Sequence, residues 1–275
     1  MNNIILLTCE SELESAKKLG FETYSYLDNK KVENFLDSVV INWGFGSHWY
    51  DKDNKPSYFK NALNDYKPIR LNIQKDKSAA ILAKAVRTPK LYKAGQNVPR
   101  GKLMVVRPTN HHSGRDFSVK RGPFKVNNGQ YAREYIKTKH EYRVLFINGQ
   151  FLAWKRQTDD KKELKKKFVA RSEWGFRYLE KIPKQLKEIT IKSYKALNLM
   201  FGAFDILMKN GKYYVLEGNT APTLSDQYLV KMFRENLLKL CKKKFKDFNP
   251  EKYKKFSNLP NAITVNLFEN VRENV

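Results

Sequence analysis

The segment from Phe201 to Asn219, "FGAFDILMKNGKYYVLEGN", constrains the fold more than any other part of the sequence. Two apolar, strand-like runs flank an Asn-Gly pair, which is a strong signal for a β-hairpin. Side chains alternate between the two faces of a strand, so the spacing along a hairpin decides which polar groups meet. The polar groups here are the carboxylates of Asp205 and Glu217 and the amide of Asn219.

The length of the loop decides whether the two carboxylates share a face. A two-residue loop pairs Lys209 with Lys212, and Asp205 then points away from the face that carries Glu217. A three-residue loop pairs Met208 with Lys212 and places both carboxylates on one face. We expect the three-residue loop, because it gathers the polar groups into one patch instead of leaving each charge alone among apolar residues.

A patch of Asp205, Glu217 and Asn219 has the chemistry of a magnesium site. Mg²⁺ prefers oxygen ligands and often takes few of them from the protein, with water and phosphate oxygens completing its shell. The alternative is structural: Asp205 and Glu217 each pair with one of the many lysines.

Composition bears on partners and location. The chain has 275 residues and a formal charge of +25, which favours phosphates, nucleic acid or another polyanion as partners. An A/T-rich genome would produce the same lysine-rich bias without any such selection.

Two distant cysteines, Cys9 and Cys241, fit a reducing compartment. The sequence has no apolar run long enough for a membrane, and "MNNIILLTCESE" resembles a first strand more than a signal peptide, so we expect a cytoplasmic protein without a membrane partner.

The order of elements predicts a mixed α/β or α+β protein. Residues 1–75 have the pattern of a small α/β unit, with strands in "NIILLT" and "SVVINWG". From about Lys102 the pattern is mostly strands, among them "KLMVVRP", "DFSVKR", "QYAREYI" and the hairpin "EYRVLFINGQFLAWKRQ". Amphipathic helices are predicted in "IPKQLKEITIKSYKALN" and in "LSDQYLVKMFRENLLKLCKKKF", the latter capped by Ser225 or Asp226.

Three segments, by their sequences and by their order along the chain, resemble the ATP-grasp superfamily. "LEGNTAPTL" is similar to its metal-binding end, "GKLMVVRPTNHHSGRDF" to the strand and loop that hold ATP phosphates, and "AREYIKTKHEYRVLFINGQ" to the linker between its lobes. The likeness is greatest to the compact proteins of bacteriophages, which implies the host cytoplasm. It implies an ATP-grasp fold in which two α+β lobes clamp ATP. The implied domains are a Rossmann-like leading domain at 1–75, a small lobe at 76–136 and a large lobe at 137–275.

The resemblance also implies a reaction that uses ATP and Mg²⁺. Such ligases phosphorylate a small carboxylate substrate and join the acylphosphate to an amine or similar nucleophile. Two other functions stay open: a basic nucleic-acid-binding protein, or nucleic-acid-modifying ligase, that uses a nucleotide fold, and a small-molecule kinase. Gly218 and Thr223 depart from the usual pattern beside the metal ligands and bear on the acceptor substrate.

The same resemblance assigns roles to individual residues. Arg107 would bind ATP phosphates, since a guanidinium forks onto two oxygens. Arg143 would reach the transferring phosphoryl group or the tetrahedral intermediate. Weaker candidates for the acid substrate are Lys155, Arg156 and Arg171. Ser113 and Gly114 of the phosphate loop would bring backbone amides to the phosphates. In the linker, Glu134, Tyr135 and Ile136 would bind adenine through backbone amides, and the carboxylate of Glu134 or of Glu141 would bind the ribose. The histidines His111 and His112 lie in the same loop, where a phosphate or substrate hydrogen bond is expected rather than zinc.

Overall fold

A computed structural model describes residues 3–25, 38–46, 49–50, 56–57, 59, 61–109, 117–138, 140–157 and 175–253. The predictions for His111, His112, Ser113, Gly114 and Arg171 therefore lie outside the described residues. Among the described helices none is both long and apolar enough to span a membrane.

The chain begins with a parallel four-stranded sheet in the order β2-β1-β3-β6. Its strands are β1 (Ile4–Thr8), β2 (Glu22–Tyr24), β3 (Val39–Trp43) and β6 (Ala62–Leu63), and a short two-stranded ribbon is formed by β4 (Trp49–Tyr50) and β5 (Pro56–Ser57). Every residue of β1 and β3 is buried, as expected of parallel strands covered on both faces. Helix α1 (Leu13–Lys17) follows a 3₁₀ turn at Glu10–Glu12.

Two helices, α2 (Tyr66–Ile73) and α3 (Lys75–Ala85), connect this unit to an antiparallel sheet in the order β10-β9-β12-β7. Its strands are β7 (Leu91–Lys93), β9 (Leu103–Pro108), β10 (Ser118–Arg121) and β12 (Gln130–Glu134), with β8 (Asn97–Val98) and β11 (Phe124–Lys125) paired beside them. Buried Met104, Val106 and Ala132 supply its core.

The largest sheet has five antiparallel strands in the order β15-β14-β13-β16-β17. The strands are β13 (His140–Ile147), β14 (Gln150–Gln157), β15 (Gly175–Tyr178), β16 (Phe201–Lys209) and β17 (Lys212–Asn219), and the helices are α4 (Lys184–Ala196) and α5 (Gln227–Lys244). A 3₁₀ turn at Pro250–Tyr253 follows. Asp226 caps α5, because its side chain accepts a hydrogen bond from the Leu229 amide at 2.8 Å.

The two faces of this large sheet pack against different partners. One face carries Val144, Phe204 and Val215 and packs against α4 and α3. The opposite face carries Leu145 and Phe201 at one end, where they join a core formed with the leading sheet and α5. The polar residues discussed below lie further along this second face, and we call it the site face.

The hairpin of β16 and β17 has a two-residue loop, so the expected three-residue loop was wrong. Lys209 pairs with Lys212, and both loop residues have positive φ, 50° at Asn210 and 70° at Gly211, as a tight turn of this type requires. Asp205 nevertheless lies opposite Glu217, because the register shifts between Asp205 and Ile206. The extra residue is Leu216, a β-bulge that restores the shared face by another route than the predicted one.

Candidate functional site

A row of side chains crosses all five strands of the large sheet on the site face. Its members pair directly, strand by strand, in the order Tyr178, Trp154, Arg143, Asp205 and Glu217. Directly opposed residues on neighbouring strands project to the same side. The sheet register therefore brings together three predicted site residues, Arg143, Asp205 and Glu217.

Arg143 and Asp205 form a two-pronged ion pair at the centre of this row. Arg143 Nε donates to Asp205 Oδ1 at 2.8 Å and Nη2 donates to Oδ2 at 2.9 Å. Burial raises the pKa of the Asp205 carboxyl, but the positive charges of Arg143, Arg156 and Lys75 together outweigh it and hold the pKa below its usual range. The same contact raises the pKa of Arg143. Asp205 is thus an ionised carboxylate with a fixed orientation, paired with an arginine and not with a lysine.

Asn219 lies two residues beyond Glu217 on β17 and so extends this polar patch on the same face. Its register partner is Ala203, and its side-chain oxygen accepts a hydrogen bond from the Ala221 amide at 3.0 Å, which fixes the side chain. Gly218 lies between the two predicted ligands, and a Cβ there would come within 2.9 Å of Asn72 Oδ1. The close packing of Asn72 explains why a larger apolar residue does not occupy position 218.

Two residues at the site, one lysine and one glutamate, were not predicted from the sequence. Lys75, the first residue of α3, donates to the Gly218 carbonyl at 3.1 Å and helps to lower the pKa of Asp205. Glu12 reaches the site from the leading unit: burial raises the pKa of its carboxyl, whereas nearby Arg143 and Thr223 lower it. Neither contact has a local motif, because each depends on the packing of separate elements.

The antiparallel sheet of residues 91–134 faces the same patch. Arg107 pairs with Tyr131 across β9 and β12, so both project to one side. Burial raises the pKa of Tyr131 to about 12, and Arg107, Arg133 and Glu217 are all close enough to influence it. Arg107 and Glu217 therefore both lie close to Tyr131, and the phosphate role of Arg107 stays a prediction.

Arg133 connects this sheet to the bulge in β17. Its guanidinium donates to the carbonyls of Leu216 and, at 3.2 Å, Val215. The bulge thus has two consequences: it turns Glu217 toward Asp205, and it presents two carbonyls to a cation from the other sheet.

The residues predicted to contact the nucleoside already have partners within the protein. The Glu134 and Tyr135 amides donate to the carbonyls of Lys90 and Leu103, at 2.9 and 2.8 Å, so these two amides are not the expected adenine donors. The Glu134 carboxylate lies 3.5 Å from Lys102 Nζ. Ile136 is buried.

Glu141, the other ribose candidate, is buried in an ion pair with Arg156 at 3.0 Å. The two residues are directly opposed across β13 and β14, on the site face. Lys155 pairs instead with Tyr142 and so projects to the opposite face of the sheet. The structure therefore brings Arg156 to the site and leaves Lys155 out of it.

The donor set fits Mg²⁺. Two carboxylates and an amide are hard oxygen donors, and a carboxylate bonded to arginine keeps lone pairs for a cation. Within the described ranges no three His, Cys, Asp or Glu residues cluster. Asn219 is the candidate for a further oxygen ligand beside the two carboxylates. The cations Arg143, Arg107 and Lys75 around the patch suit a polyphosphate.

Solved structures of ligases share this arrangement of lobes. D-alanine–D-alanine ligase from Bacillus anthracis is 16% identical, with 88% of this chain and 99% of the ligase aligned at a TM-score of 0.58. The ATP-grasp ligase PsnB, in complex with a minimal precursor, Mg and ADP, is 14% identical over 87% and 98% of the two chains at a TM-score of 0.56. The macrocyclase MdnC from Microcystis aeruginosa MRC, bound to precursor peptide MdnA, is 11% identical over 86% and 99% at a TM-score of 0.52.

These likenesses define a mixed α+β architecture. The chain has the ATP-grasp fold, as the sequence predicted. No protein-family model matches the sequence, and a search of the curated proteins gives no match. The domain boundaries, the Rossmann-like character of the leading domain and the bacteriophage subclass stay predictions.

Proposed function

We propose that the protein is an ATP- and Mg²⁺-dependent ligase that activates a carboxylate as an acylphosphate and joins it to an amine. The observation that carries the proposal is the row of Arg143, Asp205 and Glu217 on the face that meets Arg107. Support also comes from similar structures, which include the Bacillus anthracis ligase in complex with ATP and PsnB with Mg and ADP.

The residues of the site divide the work of such a reaction. Asp205, Glu217 and Asn219 would hold Mg²⁺, which supplies positive charge beside the ATP phosphates. Arg107 and Arg143 would bind phosphate oxygens and favour in-line attack by a substrate carboxylate oxygen on the γ-phosphorus. The bond to the ADP oxygen breaks, and an acylphosphate forms.

The second step needs an amine nucleophile that loses a proton. The amine attacks the acyl carbon, and the carbon–oxygen bond to phosphate breaks. Glu12 is the candidate to hold the ammonium form and to accept the proton, because its carboxyl reaches the site near Arg143 and burial raises its pKa above the usual value. The leading unit would then bear part of the acceptor site.

The test is ADP release with and without Mg²⁺ for Asp205→Asn, Glu217→Gln and a matched control. Glu188→Gln is the control, because this exposed carboxylate on α4 pairs only loosely with Lys184, at 3.9 Å. We expect each site variant to lose at least about 100-fold in turnover, and the control to keep the wild-type rate. Circular dichroism checks that each variant is folded. Undiminished turnover in both site variants would reject the assigned ligands.

A nucleic-acid-binding function remains a prediction from the charge of +25 and from the mixture of lysines and aromatic residues in "KKKFKDFNPEKYKKF". It requires tight oligonucleotide binding that weakens steeply with salt, without ADP release. The same ADP assay therefore separates the two functions, and ADP release with a phosphorylated rather than a ligated product would identify a kinase.

A further inference from the structure

Four aromatic side chains form a partly exposed patch beside the proposed site. Phe176 and Tyr178 lie on the edge strand β15, with exposures of 42% and 45%, and Tyr228 at the start of α5 is 56% exposed. Trp154 packs edge-on against Tyr178, with ring centroids 5.9 Å apart. Burial raises the pKa of Tyr178, and neighbouring Tyr228 adds to the shift. We call these four residues the aromatic patch.

The sheet register makes the aromatic patch continuous with the ion-paired centre. Trp154 is directly opposed to Tyr178 on one side and to Arg143 on the other. Two strand spacings, about 10 Å, therefore separate the backbone of Tyr178 from that of Arg143. A single small molecule can touch both.

Arginines beneath the aromatic patch add charge to its surface. The Phe176 ring covers two guanidiniums, with the carbon of Arg156 at 4.4 Å and that of Arg143 at 5.2 Å from its centroid. Asp205 occupies two of the five N–H donors of Arg143, and the others can donate to an anion. The surface thus offers ring faces and guanidinium donors side by side.

A ligand that complements this surface carries an aromatic ring and a carboxylate. Aromatic rings gain from contact with other rings, and a carboxylate gains from a guanidinium. Large aromatic side chains that cluster at the surface of a site are a mark of ligand binding. An aliphatic acid would use the arginines and leave the ring faces in water.

We propose that the aromatic patch selects a free aromatic carboxylic acid, including an aromatic amino acid, as the acid substrate. This inference rests on the proposed ligase function. Phe176 and Tyr178 would set the preference for the ring, and Arg143 would receive the carboxylate.

The experiment measures the acid preference without knowledge of the natural amine. Hydroxylamine replaces the amine and converts an acylphosphate to a hydroxamate, which is detected as its iron(III) complex, with ADP release measured in parallel. The acids are phenylalanine, tyrosine and 3-phenylpropionate against leucine, glutamate and propionate, and one further arm uses a short peptide with a glutamate next to a phenylalanine. The variants are Phe176→Leu and Tyr178→Leu. Phe117→Leu is the control, an exposed phenylalanine whose ring also lies near an arginine, 5.6 Å from the guanidinium carbon of Arg107, but just before β10 and away from the aromatic patch.

We expect kcat/KM to favour the aromatic acids, and each patch variant to reduce that preference roughly 5- to 10-fold through KM. Phe117→Leu should leave the preference unchanged. Equal or better use of aliphatic acids would overturn the inference while the ligase function stands. Activity with the peptide alone would overturn the assignment to a free acid. Absence of both hydroxamate and ADP with every acid would instead reject the ligase function itself.

Discussion

Arg143 is the residue whose role depends most on its partner. The sequence predicted Arg143 and Asp205 separately, one as a phosphoryl contact and one as a metal ligand, but not that they bind each other. Their separation of 62 positions in sequence hides the cross-strand register from any local spacing argument. The ion pair both orients Asp205 for a cation and keeps a guanidinium beside it.

Loss of Arg143 should destabilise the protein as well as inactivate it. Arg143→Ala leaves the Asp205 carboxylate, only 14% exposed, without its two-pronged partner, at a cost of about 3 kcal/mol in the free energy of unfolding. The double variant Arg143→Ala/Asp205→Ala should recover part of this loss, because no charge then remains buried alone. Urea unfolding provides the measurement.

Arg177→Ala on the exposed strand β15 is the matched control and should change stability by less than about 0.5 kcal/mol. If Arg143→Ala behaved like this control, the ion pair would contribute nothing to the fold.

At the scale of elements, the hairpin of β16 and β17 shows what sequence patterns predict well and poorly. The two strands, a turn at Asn210 and Gly211, and a shared face for Asp205 and Glu217 were predicted from alternation, although the shared face was derived from the wrong loop. The loop length was wrong because the bulge at Leu216 leaves no mark in a segment with apolar residues on both faces. The bulge also contacts Arg133, which lies 83 residues away in sequence and cannot be read from the hairpin alone.

The contact of Arg133 with the bulge should hold β12 against β17. Arg133→Met leaves the Val215 and Leu216 carbonyls without this donor, and we expect a loss of about 2 kcal/mol in unfolding free energy. The Val215 amide donates a hydrogen bond to the backbone carbonyl of Arg87. Hydrogen exchange at this amide should accelerate as the strand edge loosens.

Arg121→Met provides the comparison for this element. Arg121 also donates to a backbone carbonyl, that of Gly101, but at an exposed position of β10. Its loss should cost no more than about 0.5 kcal/mol and leave Val215 exchange unchanged. Equal effects of the two substitutions would show that the bulge contact does not join the sheets.

At the scale of the whole molecule, the site depends on three units that the sequence could identify but not assemble. Three motifs that in chain order resemble the ATP-grasp superfamily implied its fold, and the residues in and around them supplied the candidates Arg107, Arg143, Asp205, Glu217 and Asn219. Glu12 and Lys75 were missed, because they reach the site only through the docking of the leading unit and α3 against the large sheet. Lys155 was wrongly predicted to face the site. It is adjacent to Trp154 on β14, and neighbouring residues of a strand project to opposite faces.

The packing of the two lobes around Tyr131 predicts how the molecule responds to alkali. Tyr131 is 2% exposed, and burial raises the pKa of its hydroxyl to about 12, against 10 for an ordinary tyrosine. The folded protein therefore holds this proton more tightly than the unfolded chain does. The resulting stability is fully present below pH 10 and is lost as the pH rises from 10 through 12, by about 2 kcal/mol at pH 12. The measurement is urea unfolding across this range, with phenolate absorbance at the same pH values. Tyr131→Phe should show a shallower decline in stability above pH 10, because the variant has no phenolic proton to lose at this position. If the stability of the two proteins fell in parallel with pH, Tyr131 would be in contact with water and the lobes would lie apart.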